Sequence, residues 1–207
     1  MRQARTVHLT VTKSLARDAE AHLSRSCPIM ASLVMRHGGC SLGTIETEPF
    51  PTLVNAIIGQ HLSAKAARTI RGRFNKLAVP FNAQQVALIP HSSLRSIGIS
   101  AAKAGYILGI ASRIASEGLD LNDLCEKADN DVISSLCDLP GVGRWTAEMF
   151  LIFGLKRPDV LSLGDAGLQR AGRMLFGPSK KLEAISETWR PYRSIASWYL
   201  WRALDEE

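Results

Sequence analysis

The chain has 207 residues, of which 46% are hydrophobic, and its 25 Lys and Arg against 19 Asp and Glu give a formal net charge of +6. This length and apolar content suit one domain, or two interleaved lobes of one, and exclude a disordered or fibrous chain. No stretch approaches the roughly 18–20 apolar residues of a membrane span, and the N-terminus lacks an apolar signal core. These features predict an intracellular protein, in the cytoplasm or nucleoid of a bacterium or in the nucleus of a eukaryote.

In most segments where apolar residues recur regularly, they do so with the period of an α-helix. Residues 6–11 are the best candidate for a strand. Apolar residues then share one helix face over 51–60, 64–77, 104–114, 142–153 and 192–203. Gly and Pro residues separate these segments with short breaks. The pattern predicts an all-α protein with about ten helices.

Cysteines and basic residues are both scattered. Cys27, Cys40, Cys125 and Cys137 fit neither a secreted disulfide framework nor a Cys-x-x-Cys zinc site, which predicts free thiols. The Lys and Arg residues form no run of five or more. Any surface for nucleic acid therefore has to be assembled by folding.

Residues 139–143 read Leu-Pro-Gly-Val-Gly and join two helical segments. Gly141 and Gly143 allow a tight turn and let backbone N–H groups approach a phosphate at the start of the next helix. Gly-x-Gly alone fits a helix-helix turn without a ligand equally well. The whole string resembles the hairpin of the helix-hairpin-helix family, which holds the DNA backbone without reading its sequence.

Asp165 follows Trp145 by twenty residues, in the string Leu-Gly-Asp-Ala-Gly. Together with the hairpin, this spacing resembles the helix-hairpin-helix DNA glycosylase superfamily, in which an essential aspartate stands at the head of a helix. Asp165 also fits an N-cap for a helix that starts at Ala166. The two roles are compatible, because N–H groups at a helix start favour a charged carboxylate.

Residues 59–63, Gly-Gln-His-Leu-Ser, look like the loop of the 3-methyladenine DNA glycosylase II branch, which enters the minor groove. By position, His61 would fill the gap left by an extruded base; alternatively, it is a solvent-exposed loop residue. Ser63 would cap the next helix. Farther on, Tyr192 begins a segment similar to the late aromatic-Arg-Ser helix start of the family. Tyr192 and Trp145 fit core packing as well as a base pocket.

The resemblance runs from about residue 51 to residue 201 and implies a set of site residues. These are Asp165 for catalysis, Trp145, Met149 and Tyr192 in the base pocket, His61 for intercalation, Gln60, Ser63, Gly141, Gly143, Arg144 and Thr146 on the DNA backbone, and hairpin carbonyls near Leu136 and Leu139 for a monovalent cation, Na⁺ or K⁺.

Departures from the family pattern refine this expectation. Lyase-active members carry a Lys at the position of Trp145, and the indole cannot form a Schiff base. No cysteine follows Cys137, so no iron-sulfur cluster is expected. About fifty residues precede the Gln60 loop, which suggests a compact form without the N-terminal β domain. Met149 stands where some relatives have an aromatic residue, which leaves the substrate range open.

The resemblance implies a bilobal helical glycosylase fold with the active-site cleft between the lobes. One lobe comprises residues 1–50 and 155–207, and the other comprises 51–154, with the hairpin at about 134–154. The expected activity is monofunctional excision of 3-methyladenine and 7-methylguanine from duplex DNA by a monomer, without a membrane partner. Two alternatives remain: a non-catalytic helix-hairpin-helix protein that recognises DNA structure, and a lyase that uses another amine, such as Lys103.

Overall fold

The computed structural model describes residues 9–116 and 118–204. Within them the chain forms twelve α-helices, three short 3-10 helices and one π-helical turn, and no β-strand. The predicted all-α class is confirmed, while the helix count is twelve rather than about ten. Of the candidate strand, residues 6–8 lie outside the described residues, and residues 9–11 form no strand, although the Val11 amide donates to the Lys156 carbonyl at 2.8 Å.

The helices follow one another with short connections. In chain order they are α1 (Lys13–Ser26), α2 (Pro28–His37), α3 (Pro49–Gly59), α4 (Ala64–Leu77), α5 (Ala83–Ala87), α6 (His91–Ser96), α7 (Ala101–Ser116), α8 (Asp129–Cys137), α9 (Arg144–Met149), α10 (Ala166–Phe176), α11 (Leu182–Ser186) and α12 (Arg193–Leu204). The 3-10 helices cover Ser41–Gly43, Leu121–Glu126 and Glu187–Trp189, and the π-helical turn covers Phe150–Gly154. None of the helices in this described part has the length and hydropathy that crossing a bilayer requires.

The chain divides into two compact units. The first unit spans residues 47–150 and contains α3 to α9. The second combines residues 9–46 with residues 151–204 and contains α1, α2 and α10 to α12.

In the first unit, α3 is the central helix. Pro49 stands in its first turn, where a proline fits because that N–H has no helical partner. Seven of its eleven residues are buried, and α3 packs on α4, α7 and α9. A helix buried on most sides is fixed in position. The loop at its C-terminal end is therefore presented from a rigid base.

In the second unit, α12 packs on α1, α2 and α10 and carries the fully buried Tyr199. The Tyr199 hydroxyl lies 2.7 Å from the Gly38 carbonyl and 3.1 Å from Glu20 Oε1, which also accepts the Cys40 amide at 2.7 Å. Burial, reinforced by the Glu20 charge, raises the pKa of the Cys40 thiol to about 12. The same two causes raise the pKa of Tyr199 well above its usual value.

The helices that the sequence pattern did not indicate are short. Helices α5, α6 and α11 have five or six residues, too few to show a helical period in the sequence. Local capping defines α5 instead, because Asn82 Oδ1 accepts the Gln85 amide at 2.8 Å. The predicted helix over 142–153 is also divided, since α9 ends at Met149 and the π-helical turn follows.

Candidate active site and nucleic-acid interface

The loop between α3 and α4 presents His61. Its backbone is in the left-handed region, with φ of 55°, which is uncommon for a residue other than glycine although histidine is enriched there. The His61 side chain is exposed. Ser63 then caps α4, accepting the Ala66 amide at 3.3 Å, as predicted. The loop thus presents an imidazole from a tightly defined turn.

Gly59, the last residue of α3, leaves room for two larger side chains. A Cβ at this position would lie 2.6 Å from Arg71 Nη2 and 3.8 Å from the edge of the Trp145 indole. Arg71 donates from Nε and Nη2 to the Asn55 carbonyl, at 3.0 and 2.8 Å, and its burial lowers its pKa. Half-buried Trp145 therefore lies beside the end of α3, next to the loop that carries His61.

Gln60 joins this loop to the hairpin. Its Nε2 donates to the Gly141 carbonyl at 2.9 Å and to Thr146 Oγ1 at 2.8 Å. Thr146 is only 1% exposed. Both residues were predicted to contact the DNA backbone, but in this structure their side chains bind each other.

Lys103 supports the same loop from α7. Its Nζ donates to the Ile58 carbonyl at 2.9 Å and to the Gln60 carbonyl at 2.6 Å. A cation at the C-terminal end of a helix is favourable, because the last carbonyls there lack helical partners. Burial lowers the pKa of Lys103. The end of α3 is thus held by Lys103, and the Gln60 side chain fixes it to the hairpin.

The hairpin between α8 and α9 turns at Gly141, whose φ is 79°. A Cβ at Gly141 would collide with the ring of Tyr106 on α7, so both the backbone and the space require glycine. Gly143 is the N-cap of α9, with nothing near the position of a Cβ. Arg144 follows with its side chain 70% exposed and its Nε 2.9 Å from Glu148 Oε1. Glycine backbone and an exposed guanidinium are suited to a phosphate group.

The predicted cation ligands also lie in this hairpin. The Leu136 carbonyl accepts the Leu139 amide at 3.0 Å, and the Leu139 carbonyl accepts the Val142 amide at 3.1 Å. A carbonyl oxygen has two lone pairs, so the Leu139 carbonyl keeps acceptor capacity, whereas the Leu136 carbonyl also accepts the Asp138 amide. Hard oxygen ligands of this kind suit alkali cations. Elsewhere in residues 9–116 and 118–204, no three His, Cys, Asp or Glu residues lie close enough together to hold a metal. All four cysteines are free thiols.

The other two predicted base-pocket residues differ in exposure. Met149 is 6% exposed within the core of the first unit. Tyr192, in the second unit, is half-buried and packs edge-on against His22, with ring centroids 5.4 Å apart. His22 Nε2 lies 3.1 Å from the Thr188 carbonyl. The Tyr192 ring is therefore oriented by contacts within its own unit.

Asp165 is the N-cap of α10, as predicted. Its Oδ1 accepts the Leu168 amide at 2.7 Å and the indole Nε1 of Trp201 at 3.0 Å. The residue is 9% exposed. Gly167 gives the carboxylate space, because a Cβ there would lie 3.0 Å from Oδ1. Two donors on one oxygen fix the orientation of the carboxylate.

Trp201, Tyr106 and the bracing role of Lys103 were missed by sequence reasoning. The Trp201 ring packs on Phe153, with centroids 5.6 Å apart, while its N–H points to Asp165. In the sequence Trp201 is one of several apolar residues of α12. Its partner is 36 residues away, and no local pattern indicates the pairing.

Comparison with known proteins places this geometry in context. Residues 54–193 match the family described as HhH-GPD superfamily base excision DNA repair protein. A curated relative, the alkylbase DNA glycosidase-like protein mag2 of Schizosaccharomyces pombe, is 31% identical over 198 residues, which cover 89% of this chain and 92% of the relative.

Two solved structures are similar throughout. The 3-methyladenine DNA glycosylase Mag1 of Schizosaccharomyces pombe, solved in complex with abasic DNA, has a TM-score of 0.78 and 29% identity, covering 91% of this chain and 97% of that one. A DNA-3-methyladenine glycosidase from Bacillus halodurans has a TM-score of 0.66 and 32% identity, covering 91% of each chain.

Proposed function

The chain belongs to the HhH-GPD superfamily of base excision DNA repair proteins, and from this membership we propose that it is a monofunctional DNA glycosylase. It hydrolyses the N-glycosidic bond of alkylated purines, 3-methyladenine and 7-methylguanine, in duplex DNA and leaves an abasic site. Relatives named for 3-methyladenine or alkylated bases support this substrate class.

The observation that carries the proposal is the arrangement of Asp165. The carboxylate is nearly buried, caps α10 and is oriented by the Trp201 indole. A helix cap needs only the hydrogen bond from the Leu168 amide. The second bond, from a side chain on another helix, holds the carboxylate in one orientation, as electrostatic catalysis requires.

Access to the base requires the nucleotide to leave the stack. Extrusion costs a few kcal/mol and is easiest for damaged or mispaired bases. His61, exposed on its left-handed turn, fills the vacated space. Trp145, Met149 and Tyr192 are the residues that we assign to the base pocket, with Trp145 offering its ring for stacking.

The main chemical requirement is then stabilisation of the sugar. A purine alkylated at N3 or N7 carries a positive charge and departs as a neutral base, so it needs no general acid. Cleavage leaves positive charge on the deoxyribose. Asp165 stabilises this oxocarbenium-like transition state and helps to orient the attacking water.

The backbone next to the lesion is held by the hairpin. We assign phosphate contacts to the amides around Gly141 and Gly143, to Arg144 and to the Ser63 turn. A monovalent cation on the Leu136 and Leu139 carbonyls would add positive charge beside the same phosphates. Gln60 and Thr146 act behind this surface by fixing the hairpin to the His61 loop.

Strand cleavage through a Schiff base is not part of the proposal. Trp145 offers no amine, and the Lys103 amine binds the two carbonyls at the end of α3. Using Lys103 as a nucleophile would break both bonds and release the loop that carries His61. Hydrolysis by water needs neither change.

The proposal is tested with duplex DNA treated with a methylating agent. We expect release of free 3-methyladenine and 7-methylguanine, an intact strand with an abasic site, and no covalent adduct after borohydride addition. A borohydride adduct would identify the lyase alternative. Duplex binding without release of any base would favour a DNA-structure-binding protein.

A further inference from the structure

The charges of the first unit are sharply segregated along the chain. Residues 49–116 contain eight Lys and Arg and no Asp or Glu. Residues 118–138, by contrast, contain six Asp and Glu and a single basic residue, Lys127. The net charge of the whole chain conceals this division. A basic stretch of such length, free of acidic residues, is an electrostatic footprint for a polyanion.

Helix α4 carries five of these eight basic residues. Two of them donate to backbone carbonyls: Arg71 binds the Asn55 carbonyl, and Arg73 Nη1 donates to the Ile97 carbonyl at 3.3 Å. The other three recur at helical spacing with two small residues between them. Together they form one exposed stripe, which we call the α4 stripe: Lys65, Arg68, Thr69, Gly72 and Lys76.

The α4 stripe contains an exposed glycine as well as basic residues. Gly72 stands in the middle of the helix, where glycine is destabilising relative to alanine. Nothing lies within 4 Å of the position that its Cβ would take, so packing does not require glycine there. A shallow depression of about 370 Å³ adjoins the stripe and includes Lys65 and Thr69 among its lining residues. At Gly72 no side chain projects from the exposed face of the helix.

The stripe begins beside the His61 loop. Ser63 caps α4 two residues after His61, so the helix leads directly away from the point at which a base would be extruded. Lys65 and Lys76 are about 16 Å apart along the helix axis. One strand of a duplex presents about five phosphates over that length.

From these observations we infer that the α4 stripe is a second DNA-binding surface, which binds the phosphate backbone of duplex DNA flanking the lesion and supplies affinity that does not depend on damage. This inference rests on the proposed function, which identifies DNA as the partner. Contacts of this kind let a protein remain on undamaged duplex while it searches. The commitment to DNA follows from the charge of the stripe, from the exposed Gly72 and from continuity with the His61 loop.

The test is binding to an undamaged duplex by fluorescence anisotropy between 50 and 200 mM KCl. The variant is Lys65→Gln/Lys76→Gln. The matched control is Lys180→Gln/Lys181→Gln, which removes the same two charges from exposed positions of the second unit. We expect the first variant to bind about tenfold more weakly at 50 mM KCl, with a salt slope lower by up to about 1.8. The control should match wild type.

At a protein concentration that saturates the DNA, base release from methylated duplex should be unchanged in both variants, because none of the four lysines is assigned to the chemistry. Wild-type affinity and slope in Lys65→Gln/Lys76→Gln would overturn the inference. Poly-L-glutamate that displaces the labelled duplex from wild type as well as unlabelled DNA of the same total charge does would also overturn the inference, since the surface would then serve acidic proteins. The undamaged duplex separates this test from the proposed function: binding through the stripe without any base release would contradict only the glycosylase assignment.

Discussion

The carboxylate of Asp165 combines two tasks in one side chain. Oδ1 accepts a backbone amide three residues ahead and the indole N–H of Trp201. The amide bond alone would satisfy the cap. Trp201 adds a second constraint on the orientation of the carboxylate, which identifies it as a positioning residue.

Replacing Trp201 tests this role. Trp201→Phe keeps an aromatic ring against Phe153 but removes the N–H donor. Because a hydrogen bond to a charged group contributes about 1.5–3 kcal/mol, we expect the single-turnover rate of base release to fall about tenfold or more. The Kd for duplex DNA should change little. Both quantities can be measured on one methylated duplex.

A matched variant separates positioning from packing. Phe153→Leu weakens the ring contact and leaves the Trp201 N–H in place. It should lower the free energy of unfolding without a comparable loss of rate. Equal losses of rate in Phe153→Leu and Trp201→Phe, in proportion to stability, would show that Trp201 acts only through packing.

Among the elements, the loop after α3 and the hairpin before α9 form one connected structure. Gln60 binds the hairpin through Gly141 and Thr146, and Lys103 on α7 holds the carbonyls of Ile58 and Gln60. Two loops far apart in sequence are therefore fixed to each other. The roles that we propose for His61 in the DNA stack and for the hairpin amides on adjacent phosphates need such fixed spacing.

A double-mutant cycle tests the connection. Gln60→Leu and Thr146→Val each remove one partner of a partly buried hydrogen bond, and we expect each to lower the free energy of unfolding by about 1–2 kcal/mol. The double variant should be less destabilised than the sum, because the two residues bind each other. Urea denaturation measures all four proteins. Strict additivity would show that the bond contributes nothing.

Local rules predicted much of these elements. The bounds of α4 and the caps at Ser63 and Asp165 follow from helical period and capping chemistry within a few residues. The Gln60 bond to Gly141 spans 81 residues, and the Trp201 bond to Asp165 spans 36. Such pairings depend on tertiary packing, so the sequence indicated neither the Gln60 bond to the hairpin nor the Trp201 bond to Asp165. The division of 142–153 at Met149 likewise has no local signal.

At the scale of the whole molecule, stability should depend on alkaline pH. The folded protein holds the protons of Cys40 and Tyr199 more tightly than the unfolded chain, because burial raises both pKa values from ordinary values of 9.0 and 10.0. The free energy of unfolding therefore falls as pH rises above about 9, by no more than about 1.4 kcal/mol per pH unit for each group.

Urea denaturation at pH 7.5, 9.5 and 10.5 measures this dependence. Cys40→Ala should reduce the decrease in the free energy of unfolding with pH, because it removes one of the two groups. Cys137→Ala, at an exposed position, should leave this pH dependence unchanged. A free energy of unfolding that stays constant or rises across this range would contradict the assignment. The buried groups of Cys40 and Tyr199 would then not control stability at alkaline pH.

The central claim concerns the whole enzyme: Asp165 stabilises the transition state of base release. The most direct measurement compares wild type and Asp165→Asn in single-turnover release of 3-methyladenine and 7-methylguanine, with the Kd for the same duplex. Asparagine is also a good N-cap and keeps an acceptor for Leu168 and Trp201, so the fold should persist. The account predicts a rate at least 100-fold lower with Kd within about twofold. A near-wild-type rate, or equal losses of binding and rate, would contradict it and leave Asp165 as a structural cap.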